Sequence, residues 1–188
     1  MPTTVARSPE VRALASELRR RGVSDVLDVT ELTRALYSSD ASLYRVVPQA
    51  VARPRAVDEL AAVLDAARAI GMPVTTRGAG TSCAGNAVGP GLIVDTSRHL
   101  TTIRGIDQEA RMARVEPGVV QASLQAAAAP HGLRFGPDPS THNRCTIGGM
   151  IGNNACGPRA LGYGRTADNV IALDVITGSG EQITLDRV

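Results

Sequence analysis

Between Arg77 and Gly91 the chain carries Gly78, Gly80, Gly85, Gly89, Gly91 and Pro90, so no helix can start across this stretch. It follows Met72-Pro73-Val74 and precedes Leu92-Ile93-Val94-Asp95, and Val74-Thr75-Thr76 and the latter run read as strands. Its first part, Arg77-Gly78-Ala79-Gly80-Thr81-Ser82, has the chemistry of an anion cradle. Glycine at 78 and 80 lets the backbone take positive φ and approach a ligand closely. Amides turned one way form a concave nest, the Thr81 and Ser82 hydroxyls add donors, and Arg77 adds a permanent charge.

Two familiar phosphate binders are excluded. A Rossmann turn needs a third glycine and an immediate helix; here Cys83 holds that position and the helix is missing. A P-loop needs Gly-Lys-Ser/Thr, and all 20 basic residues of this chain are arginine. Taken alone, the loop reads equally well as a surface connection between two strands.

A second glycine stretch changes the balance. It reads Phe135-Gly136-Pro137-Asp138-Pro139-Ser140, then Thr146-Ile147-Gly148-Gly149-Met150-Ile151-Gly152-Asn153-Asn154-Ala155-Cys156-Gly157. In this order and spacing, the two stretches resemble the FAD-binding domain of the vanillyl-alcohol oxidase and p-cresol methylhydroxylase (PCMH-type) family. The resemblance runs from about Val47 to the end of the chain. It implies an α+β fold of two α/β subdomains: a small parallel β-α-β sheet, then a mostly antiparallel sheet with helices, incomplete here. It divides the chain into a helical lead-in over 1–46 and an FAD-binding domain over 47–188. By the same resemblance, Arg77, Gly78, Ala79, Gly80, Thr81 and Ser82 wrap the FAD pyrophosphate. Pro137, Asp138, Thr146, Ile147, Gly148, Gly149, Asn153, Asn154 and Gly157 line the flavin, and the backbone of Ile176 meets the adenine.

Several of these residues have a plainer alternative. Asn153 and Asn154 suit a flavin edge or a tight turn. Asp138 can cap its own turn, and Ile176 can simply be strand core. Cys156 stands where the family has a glycine, so its backbone must be ordinary. Relatives that attach flavin covalently use a histidine at the position of Thr81, or a cysteine two residues before the threonine of the T-x-G-G segment. Here that second position is Arg144, with Cys145 one residue off. Noncovalent FAD is therefore the expectation, with Cys145 and Cys156 structural. His142, Arg144 and Arg159 can reach an acidic substrate or merely bond carbonyls.

The fuller stretches 138–146 and 164–170 are most similar to one branch, the D-lactate and D-2-hydroxyglutarate dehydrogenases. This implies oxidation of a small D-2-hydroxy acid, with hydride passing from its α-carbon to flavin N5 and electrons leaving to an acceptor the sequence does not identify. The catalytic base and substrate-carboxylate ligands are expected in a later domain, and an iron–sulfur cluster only in a continuation of the chain. The alternatives are another oxidase or reductase on the same fold, or a non-catalytic flavin-binding fragment.

Composition narrows the classes further. Hydrophobic content of 43% with 20% charged residues is globular, and a formal charge of +2 is too small to argue for nucleic acid. Arg19-Arg20-Arg21 is the one basic run and reads as a solvated helix end. No stretch reaches the ~18 apolar residues of a membrane span, and no leader pattern opens the chain. Cys83, Cys145 and Cys156 form no C-x-x-C pair, and His99, His131 and His142 are scattered, so no metal is expected. A cytoplasmic protein with reduced thiols follows, peripheral membrane association staying open.

Along the chain, Ser8-Pro9 starts a helix that Gly22 closes, and residues 23–44 give no firm element. A strand over 49–53, a helix from about Val57 to Gly71 and the strand before the glycine loop form a β-α-β unit with parallel strands. A hairpin is expected over 101–115 and a helix over 119–129. Residues 170–177 read as a buried strand, with a turn at Gly178-Ser179-Gly180 and a return strand. That return strand ends the sequence mid-sheet, so a partial chain is expected.

Overall fold

The computed structural model describes residues 8–186. The chain opens with α1 (Pro9–Arg20), capped by Ser8, whose Oγ accepts from the Val11 amide at 3.2 Å. Proline at the first helical position forfeits no bond there, and Gly22, at φ 74°, ends the helix. Val11, Leu14 and Leu18 form its buried face.

Residues 23–44 hold more structure than their sequence suggests. A 3-10 turn (Ser24–Val26) leads to β1 (Leu27–Asp28) and α2 (Glu31–Leu36). These elements are too short for periodicity to reveal. One carboxylate organises them. Asp28 accepts from the Thr30 amide and hydroxyl at 2.9 and 2.8 Å, from the Thr33 hydroxyl at 2.7 Å and from Arg53 at 3.2 Å.

The central sheet follows the expected pattern. β2 (Ala50–Ala52), α3 (Val57–Ala69), β3 (Val74–Arg77) and β4 (Leu92–Asp95) come in sequence. Strand order is β1-β2-β4-β3, with β4 parallel to both neighbours and β1 antiparallel to β2. β4 therefore slots between the two strands that α3 connects. Leu14 and Leu18 of α1, Val63 and Ala67 of α3, and Leu92 and Val94 of β4 share the core. Parallel neighbours need a crossover connection, and between β3 and β4 that connection is the glycine loop itself.

The second part carries the hairpin β5 (Ile103–Asp107) and β6 (Met112–Val115), with a register irregularity between Ile103 and Gly105. α4 (Gln121–Ala128) passes into a 3-10 turn that Gly132 closes at φ 67°. Val119, Leu124, Cys145, Ile147 and Met150 make a second core. Two short helices lie inside the second glycine stretch and after it: α5 (Ile147–Gly152) and α6 (Ala160–Tyr163).

The last hairpin corrects an expectation. β7 (Ala172–Ile176) and β8 (Gln182–Asp186) pair antiparallel as expected, but β7 is not buried. Its residues are half-buried or exposed, with Ile171 beside it 51% exposed. An apolar run records that a strand can be covered, not that a second layer packs on it. Among the described residues, β7 pairs with β8 alone, and no helix is long and apolar enough to cross a membrane.

Candidate functional site

The first glycine loop leaves the sheet at Arg77. Its Nη1 donates to the carbonyls of Ser39 at 2.9 Å, Ala87 at 3.0 Å and Tyr37 at 3.5 Å, and its guanidinium stacks 5.2 Å from the Tyr37 ring centroid. Arg77 is thus engaged within the protein through this one nitrogen. The charge read as a phosphate ligand is anchored on backbone carbonyls, where it shapes the loop. Gly80 sits at φ 67°, the left-handed region, and its carbonyl accepts from the Ala41 amide at 3.1 Å.

The amides beyond Arg77 are in a different state. Among the described residues, the backbone N–H groups of Ala79, Gly80, Thr81, Ser82 and Cys83 donate to no protein acceptor. The Ser82 hydroxyl accepts from the Ala84 and Asn86 amides at 3.2 and 3.4 Å, which closes the turn after them. A run of five free donors around a left-handed glycine is suited to an anion brought in from outside.

The second glycine stretch meets the first. A Cβ on Gly78 would collide with the side chain of Thr146, which is 1% exposed. Asn86 Nδ2 donates to Asn153 Oδ1 at 3.0 Å, and Asn153 Nδ2 to the Gly149 carbonyl at 3.0 Å. Thr146 caps α5 by accepting from the Gly149 amide at 3.3 Å. Thus the first stretch meets the second at two points, Gly78 on Thr146 and Asn86 on Asn153.

Other residues of the second stretch are occupied with packing. The amides of Ile147 and Gly148 donate to the carbonyls of Val119 and Pro117, both at 2.8 Å, and the Ile147 side chain is buried in the core. A Cβ on Gly148 would stand 2.7 Å from the Pro117 ring. Asn154 takes φ 45° at the end of α5 and accepts from the Ala167 amide at 3.0 Å, which is the tight-turn alternative. Pro137 is buried and its carbonyl accepts from Gln121 Nε2 at 3.1 Å. Asp138 pairs with Arg159 at 3.0 Å, and a Cβ on Gly157 would overlap the Asp138 carbonyl. Ile176 ends β7 opposite Gln182, half-buried; its hairpin touches α3 through Gly180 and β6 through Arg114–Asp174 at 2.7 Å.

The cysteines differ in character. Burial pushes the Cys145 thiol up, against a hydrogen bond with Thr141, whereas Cys83 and Cys156 are exposed. The sequence reading missed the residues that hold the first loop. Asp40 Oδ2 accepts from the Ala87 amide at 3.3 Å, and the Tyr44 ring packs where a Cβ of Gly85 would stand. The stretch from Tyr37 to Tyr44 bears a loose likeness to the family's lead-in to the first strand, and otherwise reads as a polar loop.

Residues 48–186 match the family model described as an FAD binding domain. The chain is 37% identical, over 187 residues, to D-2-hydroxyglutarate dehydrogenase of Pseudomonas putida, a match covering 96% of this chain and 18% of that protein. The Escherichia coli enzyme of the same name is 36% identical over 168 residues, covering 88% and 16%. Glycolate oxidase subunit GlcD of Escherichia coli is 38% identical over 146 residues, covering 77% and 29%. The chain therefore spans less than a third of the length of these relatives. Among solved structures, alkyldihydroxyacetonephosphate synthase superposes with a TM-score of 0.81 at 18% identity, over 100% of this chain and 36% of that one. Carbohydrate oxidase from Microdochium nivale gives 0.78 at 19%, over 93% and 37%. Identities this low show a shared fold alone.

Proposed function

Since the chain belongs to the FAD-binding domain family of PCMH type, we propose that it is the cofactor-holding part of a dehydrogenase for small D-2-hydroxy acids. The observation that carries the assignment of the site is the run of five free amides at residues 79–83, flanked by Gly78, which packs on Thr146, and by Asn86, which bonds Asn153. The residues fit FAD on two counts. A left-handed glycine inside a run of free donors suits the pyrophosphate oxygens, and the Thr81 and Ser82 hydroxyls extend that donor set. Thr146, Gly149 and Asn153 are assigned to the flavin on the family resemblance, and Gly78 and Asn86 connect the loop to the first and the last of them.

When bound, FAD supplies redox chemistry that no side chain here possesses. The chain's own part is to bind and orient. Residues 79–83 hold the diphosphate, and the Asn86–Asn153 contact fixes the distance between the two stretches. Attachment is noncovalent: Thr81 offers no nucleophilic nitrogen, and the Cys145 thiol is buried with its ionisation suppressed. The substrate class rests on likeness to relatives named for D-2-hydroxyglutarate and glycolate.

The test uses the intact protein. Acid precipitation is expected to release all flavin to the supernatant, and dye reduction to proceed with D-lactate, D-2-hydroxyglutarate or glycolate but not with L-2-hydroxy acids. A colourless protein, or flavin left on the precipitate, refutes the cofactor assignment. Turnover of L-acids alone refutes the substrate class.

A further inference from the structure

Residues 37–44 lie ahead of the family match, yet they brace the first glycine loop at several points. Arg77 bonds the Tyr37 and Ser39 carbonyls, the Ala41 amide bonds the Gly80 carbonyl, and Asp40 accepts from Ala87. Tyr37 is the hub of this brace. Two guanidiniums stack on its ring, Arg77 at 5.2 Å and Arg53 at 5.6 Å. Its hydroxyl donates to Asp95, the 2%-exposed last residue of β4. The other oxygen of Asp95 accepts from the Ser97 amide and hydroxyl, both at 2.7 Å, so this carboxylate is fixed.

We propose that Tyr37 is a positioning residue for the FAD pyrophosphate, acting through Arg77. The inference rests on the assignment of residues 79–83 to the pyrophosphate made above. Tyr37 touches no phosphate itself. Anchored on the rigid end of β4, its ring sets the plane of the Arg77 guanidinium. That plane lets one nitrogen reach the Ser39 and Ala87 carbonyls together. The loop between them is thereby held in its binding shape before ligand arrives, which removes an ordering penalty from association. A cation–π stack of this kind corresponds to roughly two- to thirtyfold in an equilibrium constant.

Three probes separate positioning from general loosening in the intact protein: FAD, ADP (diphosphate without flavin) and riboflavin (flavin without phosphate). Tyr37→Leu is expected to weaken FAD and ADP about tenfold each and to leave riboflavin within about twofold. Tyr37→Phe, which keeps the ring but loses its anchor on Asp95, recovers only part of that loss. Gly80→Val removes both FAD and ADP binding. Equal weakening of all three probes in Tyr37→Leu overturns the proposal, as does unchanged FAD and ADP affinity there while Gly80→Val loses both. If Gly80→Val binds FAD and ADP normally, the assignment of the loop itself is wrong, and Tyr37 has nothing to position. Should Tyr37→Leu fail to fold, Arg77→Lys carries the same expectations, since an ammonium cannot stack and span two carbonyls as a planar guanidinium does.

Discussion

Gly78→Ala is the smallest change that separates the two glycine stretches. The position has no left-handed φ, so alanine meets no backbone strain there. It meets Thr146 instead. The added methyl would overlap Thr146 Oγ1 and come within 3.3 Å of its Cβ and 3.4 Å of its Cγ2. Thr146 is buried at 1% exposure and its hydroxyl caps α5, so it cannot swing away without loss. Overpacking of a close-packed site costs about 1–3 kcal/mol, and a displaced cap about 1 kcal/mol more. Together they lower the midpoint of thermal unfolding by roughly 4–16 °C for a chain of this size. Thr146→Ala alone loses the cap, about 1 kcal/mol, but removes Oγ1, the atom that the methyl would overlap. The double variant should therefore be more stable than the two single losses predict, by at least ~1 kcal/mol. Urea unfolding of all four proteins in the intact apo form measures this. Additivity within about 0.5 kcal/mol would show that the two stretches do not touch at this point.

Three further outcomes are expected. A thiol reagent applied to the native protein labels Cys83 and Cys156 quickly and Cys145 slowly, because Cys145 is buried and its thiol is pushed up; three equally fast thiols would contradict this. Asn154→Gly keeps flavin affinity, whereas Asn154→Val destabilises by about 1–3 kcal/mol, since φ 45° suits glycine and not a β-branched residue; loss of flavin in the glycine variant would instead assign the amide to the ligand. Burial acts to raise the Asp28 carboxyl, but bonds from Thr33 and Thr30 and the charge of Arg53 outweigh it, holding the group below its ordinary 3.8. A lowered carboxylate contributes stability that is full above 3.8 and lost as pH falls through its folded value. Asp28→Asn should then be less stable than the unmodified protein at pH 6, with the gap closing toward pH 3; a gap independent of pH would refute the assignment.

The parts of this fold that could be read from sequence are those whose causes are local. α1 shows its cap, its proline and its closing glycine within fifteen residues, and α3 carries a plain apolar stripe. β2 and β4 are short apolar runs bounded by turn residues. The unread parts depend on distant partners. β1 and α2 exist because Asp28 gathers Thr30, Thr33 and Arg53, the last of them 25 positions away. α5 has glycine at three of its six positions, poor helix material that the Thr146 cap and the carbonyls of Pro117 and Val119 hold in place. At the site, the two glycine stretches stood out in the sequence and a family resemblance joined them, but the packing of Gly78 on Thr146 and the Asn86–Asn153 bond join residues 67 or more positions apart and had no local signal. The engagement of Arg77 had none either, because a charge beside a nest looks the same in sequence whether it faces a phosphate or three carbonyls.

The connection from β3 to β4 is far longer than its journey. Each strand has four residues, so the return along the sheet is roughly 13 Å. The fourteen residues 78–91, fully extended, would reach about 46–50 Å. Topology therefore leaves most of that chain unclaimed, and halving the loop would change the closure entropy by only about 0.6 kcal/mol. Scaffold and binding apparatus are thus separable parts. A graft that replaces residues 79–86 by a segment of similar length, keeping the Ala87 and Pro90 carbonyls that Arg77 and Gln49 bond, should leave the β2-β4-β3 sheet intact as a blank platform. Loops of other chemistries could be mounted on it, in the way that antibody frameworks accept new hypervariable segments.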